Sequence, residues 1–271
     1  MSALFNQLDR MTYLSIKDLP TLVIGSAVYL IYRLIMCNFV LNKIGKSLGV
    51  KNNFKFTHRS FDMIHYVSSA LLGFAALSRR PYFHCIFWAA DCVEAFSQKV
   101  GGYPMSVLEK IYFMMFACYY IADFFFIHTA SEKYMMIVHH IVTLFMIFSC
   151  VYLDCPITGI LIMLLHDIVD VPLYVGKILL YLGFKTPKDI SLVIFAISCT
   201  FFRIINFPNM IKNAIKAAFV AQTHAVLYHI TAYVLLILYG LHIIWEIKIF
   251  GNVVEVLKGS SIHDNRSDKA Q

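Results

Sequence analysis

The chain has 271 residues, of which 59% are hydrophobic and only 14% are charged, and its mean hydropathy is +0.69. A soluble domain is about half apolar and about a quarter charged, so this composition excludes a water-soluble protein. The apolar runs are continuous rather than alternating, which predicts an all-α polytopic membrane bundle. The net charge of +7 comes without any nucleic-acid-binding motif, and we expect no nucleic acid partner.

The apolar runs predict a bundle of seven or eight transmembrane helices. The predicted spans, in chain order, cover residues 19–40, 61–77, 82–96, 108–128, 134–153, 156–174, 190–207 and 221–250. Asp91 and Glu94 interrupt the third run, and this weak segment leaves the helix count open. Residues 1–60 are predicted to form an N-terminal helix and a basic loop, 61–250 the main helical domain, and 251–271 a disordered polar tail.

Basic residues are concentrated in the predicted loop between the first two spans, where five of them occur in residues 43–59. A cytosolic loop that follows the positive-inside rule explains them. A docking surface for an anionic ligand, such as a nucleotide-bearing acyl donor, is the alternative. The seven cysteines are scattered, without a CxxC pair, so we expect neither a disulfide framework nor a zinc cage.

Ionisable residues occur in two neighbouring spans, where lipid makes them costly and therefore candidates for function. His139 and His140 are adjacent in one span, and His166, Asp167 and Asp170 occur in the next. His166 and Asp170 share a helix face, as do Asp167 and Asp170. Because a turn of a few residues joins the two spans, we expect antiparallel neighbours, and contact between the clusters is plausible.

A carboxylate beside an imidazole fixes its tautomer, and an imidazole held in this way can act as a general base or as a nucleophile. Adjacent helical residues point about 100° apart, so at most one of His139 and His140 is expected to do a given job. A purely structural polar network and a zinc or iron site are the alternatives. Asp123 is expected to line the same cavity and Arg203 to snorkel toward an interface. The remaining histidines of the spans, His242 among them, are expected to serve packing or interfaces.

The motif residues resemble a known family. The stretch from His139 to Thr143 and the stretch from Gly159 to Asp170 together resemble the Lag1 motif of ceramide synthases. Those enzymes share the TLC-domain superfamily with TRAM and CLN8-like proteins. The segments 202–208, 241–245 and 264–268 also resemble family segments, so that the resemblance covers about residues 61–268.

The resemblance implies a TLC-type enzyme of the endoplasmic reticulum membrane that transfers a fatty acyl group from acyl-CoA to the amine of a sphingoid base. It implies that His139 and His140 are the essential pair, supported by Asp167 and Asp170. His166 belongs to the same predicted catalytic set. The predicted substrate-binding residues are Asp123, Lys177 and Arg203. Acyl-CoA is the expected co-substrate, and no metal or other cofactor is expected.

The predicted mechanism places a lipid-filled cavity inside the bundle, open to the cytosol for the CoA head group. One histidine of the pair attacks the thioester or deprotonates the amine, and Asp167 or Asp170 orients the ring. Burial would exclude water that otherwise hydrolyses the acyl donor. A non-enzymatic TLC protein that binds lipid or escorts cargo and a metal-dependent lipid hydrolase are the rival functions. A homodimer or an accessory subunit is left open. The sequon at Asn265 should stay unglycosylated if the tail is cytosolic.

Overall fold

The computed structural model describes residues 7–97, 104–129, 132–221 and 224–258, and these ranges contain seven long helices. In chain order they are α1 (Ile16–Ser47), α2 (Asn53–Leu77), α3 (Val107–Phe124), α4 (Lys133–Tyr152), α5 (Pro156–Tyr181), α6 (Lys185–Phe219) and α7 (Ala225–Leu257). Two short strands, β1 (Met11–Thr12) and β2 (Met105–Ser106), pair antiparallel and bring the starts of α1 and α3 together. The all-α membrane fold predicted from composition is confirmed.

Six of these helices are long and apolar enough to cross a membrane. The exception is α3, whose 18 residues include Glu109, Lys110 and Asp123. Charged side chains are costly in hydrocarbon, but here Glu109 and Asp123 are satisfied by partners inside the bundle. The predicted count of seven or eight spans is therefore not confirmed, although α3 packs in the bundle beside α1 and α2.

The weak candidate at residues 82–96 is not a spanning helix, so this part of the prediction is wrong. It folds into a 3-10 turn at Phe83–Ile86 and a single helical turn at Val93–Phe96. A disulfide joins Cys85 and Cys92, which contradicts the expectation of no disulfide. The bond closes a short loop, and the sequence rule failed because it relied on CxxC spacing and an even cysteine count.

Three helix boundaries also differ from prediction. The loop expected at residues 43–59 is short, because α1 continues to Ser47 and Asn52 caps α2 by accepting a hydrogen bond from the Lys55 amide. Pro208 does not end α6, since it occupies the first turn of a helical segment that follows a π-helix at Thr200–Asn206. The last helix extends to Leu257, beyond the predicted boundary of residue 250. Asn265 and its sequon lie outside the described residues.

Short connections make neighbouring helices antiparallel, so α1, α3, α5 and α7 begin at one face of the bundle. We call this the N-terminal face, and it carries the disulfide loop, where the Tyr228 hydroxyl at the start of α7 donates to the Phe96 carbonyl. At the opposite, C-terminal face, Glu132 before α4 accepts hydrogen bonds from Trp245 and Lys248 near the end of α7. The central helix is α5, which is packed against both α2 and α6.

Candidate active site

His140 is held at both ring nitrogens by oxygen acceptors. Its Nδ1 lies 2.9 Å from the carbonyl oxygen of Met136, one turn earlier on α4, and its Nε2 lies 3.0 Å from Oδ2 of Asp123 on α3. A carbonyl and an ionised carboxylate can only accept hydrogen bonds. Both ring nitrogens of His140 are therefore engaged by acceptor oxygens, and neither nitrogen is free to bond a substrate.

His139 has the opposite environment. Its side chain is buried against the Trp245 ring, with ring centroids 5.5 Å apart, and its Nδ1 has no hydrogen-bond partner within the described parts of the chain. The residue lines an internal cavity, which His140 does not. Because adjacent helical side chains diverge by about 100°, only one histidine of the pair can face this cavity. His139 is thus the member of the pair that lines the cavity, and its buried Nδ1 makes no hydrogen bond to any described residue.

The cavity is apolar, and the free space among its lining residues, including the part open to the surroundings, is about 450 Å³. It lies between α3, α4, α5 and α7 and is lined by Phe116, Tyr120, His139, Thr143, Met146, Ile147, Cys150, Gly159, Ile162, Met163, His166, Leu235 and Leu238. It runs from the histidines toward the N-terminal face, where Cys150 and Gly159 lie near the turn between α4 and α5. Eleven residues separate His139 from Cys150, a distance of about 16 Å along a helix. The shape and lining suit a hydrocarbon chain.

His166 lies at the same end of the cavity as His139. Its Nδ1 is 2.7 Å from the Ile162 carbonyl oxygen, and its Nε2 is 3.0 Å from Nε2 of His242 on α7. With Nδ1 as the donor to the carbonyl, a neutral His166 accepts at Nε2 from the His242 N–H. His242 was predicted only to serve packing, and this contact makes it a direct neighbour of the cluster.

Asp167 points away from the paired histidines. Its Oδ2 accepts hydrogen bonds from the hydroxyl groups of Ser69 on α2, at 2.6 Å, and Tyr112 on α3, at 2.7 Å. The other oxygen, Oδ1, is buried and has no partner among the described residues. Asp167 therefore joins α2, α3 and α5 in the core of the bundle.

Asp170 forms an ion pair with Arg203 on α6, with 2.8 Å between Oδ1 and Nη2. The same Nη2 donates to the His166 carbonyl oxygen at 3.1 Å. Arg203 is buried in these contacts, so the prediction that it snorkels to an interface is wrong. Arg203 therefore stabilises the α5 backbone at His166 itself. Lys177 lies further along α5, with Nζ 4.8 Å from the Tyr174 ring centroid.

The structure thus brings His139 and His166 to one cavity, as the motif spacing suggested. The carboxylate in contact with the pair is Asp123, which bonds His140, whereas Asp167 and Asp170 bond other partners; the predicted support of catalysis by Asp167 and Asp170 stays a prediction. The spacing of Asp167 and Asp170 along α5 carries no information about α3, the helix that supplies the partner of His140. Asp123 was predicted to be a substrate-binding residue, and this role stays a prediction beside the observed contact with His140.

Side chains at distances that could bind a metal lie away from the histidine cluster, in the disulfide loop. Among the described residues, one group of three candidate ligands is formed by His84, Cys85 and Cys92. His84 Nε2 lies 3.7 Å from Cys85 Sγ and 3.6 Å from Cys92 Sγ. A metal would need both sulfurs as thiolates, which the disulfide prevents. The expectation of no metal cofactor at the histidine cluster stays a prediction.

Comparison with known proteins identifies the family. The model of the TLC domain shared by TRAM, LAG1 and CLN8 proteins matches residues 55–251. This match covers most of the chain, including every residue of the cavity. The chain belongs to the TLC-domain family. The recognition made from the histidine and aspartate motifs is thereby confirmed.

Three similar proteins are named as ceramide synthases or as a sphingosine N-acyltransferase. Ceramide synthase LOH1 of Arabidopsis thaliana is 28% identical over 229 residues, which cover 79% of this chain and 73% of the relative. Sphingosine N-acyltransferase lag1 of Schizosaccharomyces pombe is 24% identical over 74% of this chain and 52% of the relative. Ceramide synthase hyl-1 of Caenorhabditis elegans is 29% identical over 51% of this chain and 41% of the relative.

Proposed function

We propose that this TLC-domain protein is a ceramide synthase, which transfers a fatty acyl group from acyl-CoA to the amino group of a sphingoid base. The observation that carries the proposal is the position of His139, which lines one end of an apolar cavity and whose Nδ1 has no hydrogen-bond partner among the described residues. An acyl chain lying in this cavity would bring its thioester carbon to the imidazole. The names of the relatives support the same reaction.

In the proposed mechanism, an unprotonated ring nitrogen of His139 attacks the thioester carbonyl carbon. The carbon–sulfur bond breaks, and the CoA thiolate takes up the proton that the imidazole ring loses, which leaves a neutral acyl-imidazole. The sphingoid amine then attacks the same carbon, the carbon–nitrogen bond to His139 breaks, and a proton moves from the amine to the departing imidazole. The products are an amide, CoA thiol and regenerated His139.

The neighbouring polar groups would surround His139 during this reaction without contacting the acyl carbon. His140 places a doubly hydrogen-bonded ring beside His139, and the His166–His242 pair lies across the cavity. The apolar lining excludes water, which would otherwise hydrolyse the acyl-imidazole.

Two observations support a proposed orientation in the endoplasmic reticulum membrane. Disulfides persist in oxidising compartments, so the Cys85–Cys92 bond favours a lumenal N-terminal face. The basic residues of the first loop, including Lys51, then lie on the cytosolic side, as the positive-inside rule requires. Acyl-CoA would be bound from the cytosol and the sphingoid base from the bilayer.

The test uses the full chain purified in detergent with acyl-CoA and sphinganine, followed by mass spectrometry of the lipid product. We expect N-acylated sphinganine from the wild type and from His128→Ala, whose side chain is exposed, but none from His139→Ala. Incubation with acyl-CoA alone, followed by acid quenching and peptide mapping, should show the acyl mass on His139. Absence of product from the wild type, with lipid retained in the protein, would favour the lipid-binding function instead.

A further inference from the structure

Arg33 is a buried cation from the part of the chain that precedes the family match. It lies on α1, whereas the TLC-domain model begins at residue 55. Its side chain is 1% exposed, which is costly for a charge in a membrane bundle unless partners compensate. A π-helix begins three residues later, at Met36, and such irregular turns are frequent at functional sites.

The Arg33 guanidinium bridges two carboxylates on different helices. Its Nη1 donates to Oδ1 of Asp123 on α3, and its Nη2 lies 3.1 Å from Oδ1 of Asp62 on α2. The guanidinium also lies 4.2 Å from the ring centroid of Phe126, at the end of α3. The planar fork of arginine presents separate donor groups in a fixed geometry, which suits two carboxylates on different helices better than the compact ammonium of a lysine does.

Asp123 transmits this interaction to the histidine pair. Arg33 occupies Oδ1, so that Oδ2 is left for the Nε2 of His140 at 3.0 Å. A guanidinium at hydrogen-bonding distance favours the ionised form of a buried carboxylate. Both ring nitrogens of His140 then face acceptor oxygens, which fixes the orientation of the ring.

We propose that Arg33 is a positioning residue for the histidine pair. By fixing Asp123, it holds both ring nitrogens of His140 at acceptor oxygens and leaves His139 as the imidazole of the pair that is free to react. The first helix, outside the matched domain, would then be a required part of the active site. The catalytic consequence rests on the proposed function, whereas the protection of His140 does not.

The chemical test measures which histidine reacts with diethyl pyrocarbonate, a reagent that modifies an unprotonated imidazole nitrogen. Peptide fragmentation distinguishes His139 from adjacent His140 in the purified full-length protein. We expect modification of His139 and protection of His140 in the wild type. In Arg33→Met, modification of His140 should rise about tenfold, because the charge-assisted bond that locks its ring is weakened. Asp123→Asn should give the same pattern, and Arg33→Met should add little to it.

The kinetic test compares kcat with KM for acyl-CoA. Arg33→Met should lower kcat about ten- to a hundredfold and leave KM within about twofold, because a misplaced histidine affects the reaction more than binding. Arg33→Lys retains the charge, folds more readily and should recover part of kcat. Arg80→Met is the matched control, since Arg80 pairs with buried Glu109 at the N-terminal face, away from the histidines. It should lower thermal stability without changing the modification pattern.

Two results would overturn the proposal. One is protection of His140 that persists in Arg33→Met and Arg33→Lys while both proteins remain folded. The other is a loss of kcat that Arg80→Met reproduces at equal loss of thermal stability, which would make Arg33 a structural residue only. If the wild type transfers no acyl group, the proposed function fails, but the modification pattern still decides the role of Arg33.

Discussion

Thr143, Ile147 and Cys150 lie on one side of α4, and each lines the same cavity as His139. They follow His139 by four, eight and eleven residues, so they lie about 6, 12 and 16 Å from it along the helix axis. With a carbon–carbon bond of about 1.5 Å, an extended acyl chain advances about 1.25 Å per carbon. Phenylalanine at the three positions should therefore block the chain near about its fifth, tenth and thirteenth carbon.

The magnitude follows from the methylenes that no longer fit. Each buried methylene contributes about 0.8 kcal/mol, which corresponds to about a fourfold change in affinity. The step from Cys150→Phe to Ile147→Phe moves the block by about 4.5 Å, or between three and four carbons. For acyl-CoA long enough to reach both positions, kcat/KM should fall by about a further hundredfold.

The assay offers the purified protein an equimolar mixture of acyl-CoA chain lengths and measures the ratio of N-acyl products by mass spectrometry. The preferred chain should shorten in the order Cys150→Phe, Ile147→Phe and Thr143→Phe. Ile141→Phe is the control, because Ile141 is exposed on the outer side of the same helix and should leave the ratio unchanged. Equal loss of activity for all chain lengths, without a shift in the product ratio, would refute the cavity as the acyl site.

Three further predictions concern the fold that holds the site. Gly73→Val should lower the free energy of unfolding by about 1–3 kcal/mol in thermal or denaturant unfolding, since its Cβ would lie 2.8 Å from Leu164 Cδ1 at a close crossing of α2 and α5; unchanged stability would contradict this packing. Replacing both Cys85 and Cys92 by serine should lower the thermal midpoint, and reductant should lower the midpoint of the wild type but not of the variant. Asn206→Ala removes bonds of 2.8 and 2.6 Å to the backbone of the disulfide loop, so amide exchange in that loop should accelerate while exchange in α5 stays slow.

Most of the helices and the central motif were predictable because they depend on local patterns. Continuous apolar runs specified α4 and α5 to within one residue at three of their four ends, and spacing on one helix identified His166 and Asp170 as a pair of the same face. Asp123 could be singled out as a charge in a membrane segment, but its partner could not, because the contact with His140 joins two helices whose rotation the sequence does not give. A single histidine such as His242 carries even less signal, since nothing in its neighbourhood distinguishes a packing residue from a partner of His166.

The depths of the clusters at His139 and at His166 in the bundle, in contrast, could have been predicted from their residue positions alone. His139 lies 13 residues before the end of α4 at Tyr152, and His166 lies 10 residues after the start of α5 at Pro156. At about 1.5 Å per residue in antiparallel neighbours, these positions differ by only about one helical turn in depth, which explains why both histidines reach one cavity. Asp167 and Asp170 also lie within about one helical turn of His139 in depth, but they point in other directions and contact α2 and α6 instead of α4. The number of residues between each polar group and the turn that joins α4 and α5 therefore determines the depth of that group. Tertiary packing determines which other groups it contacts.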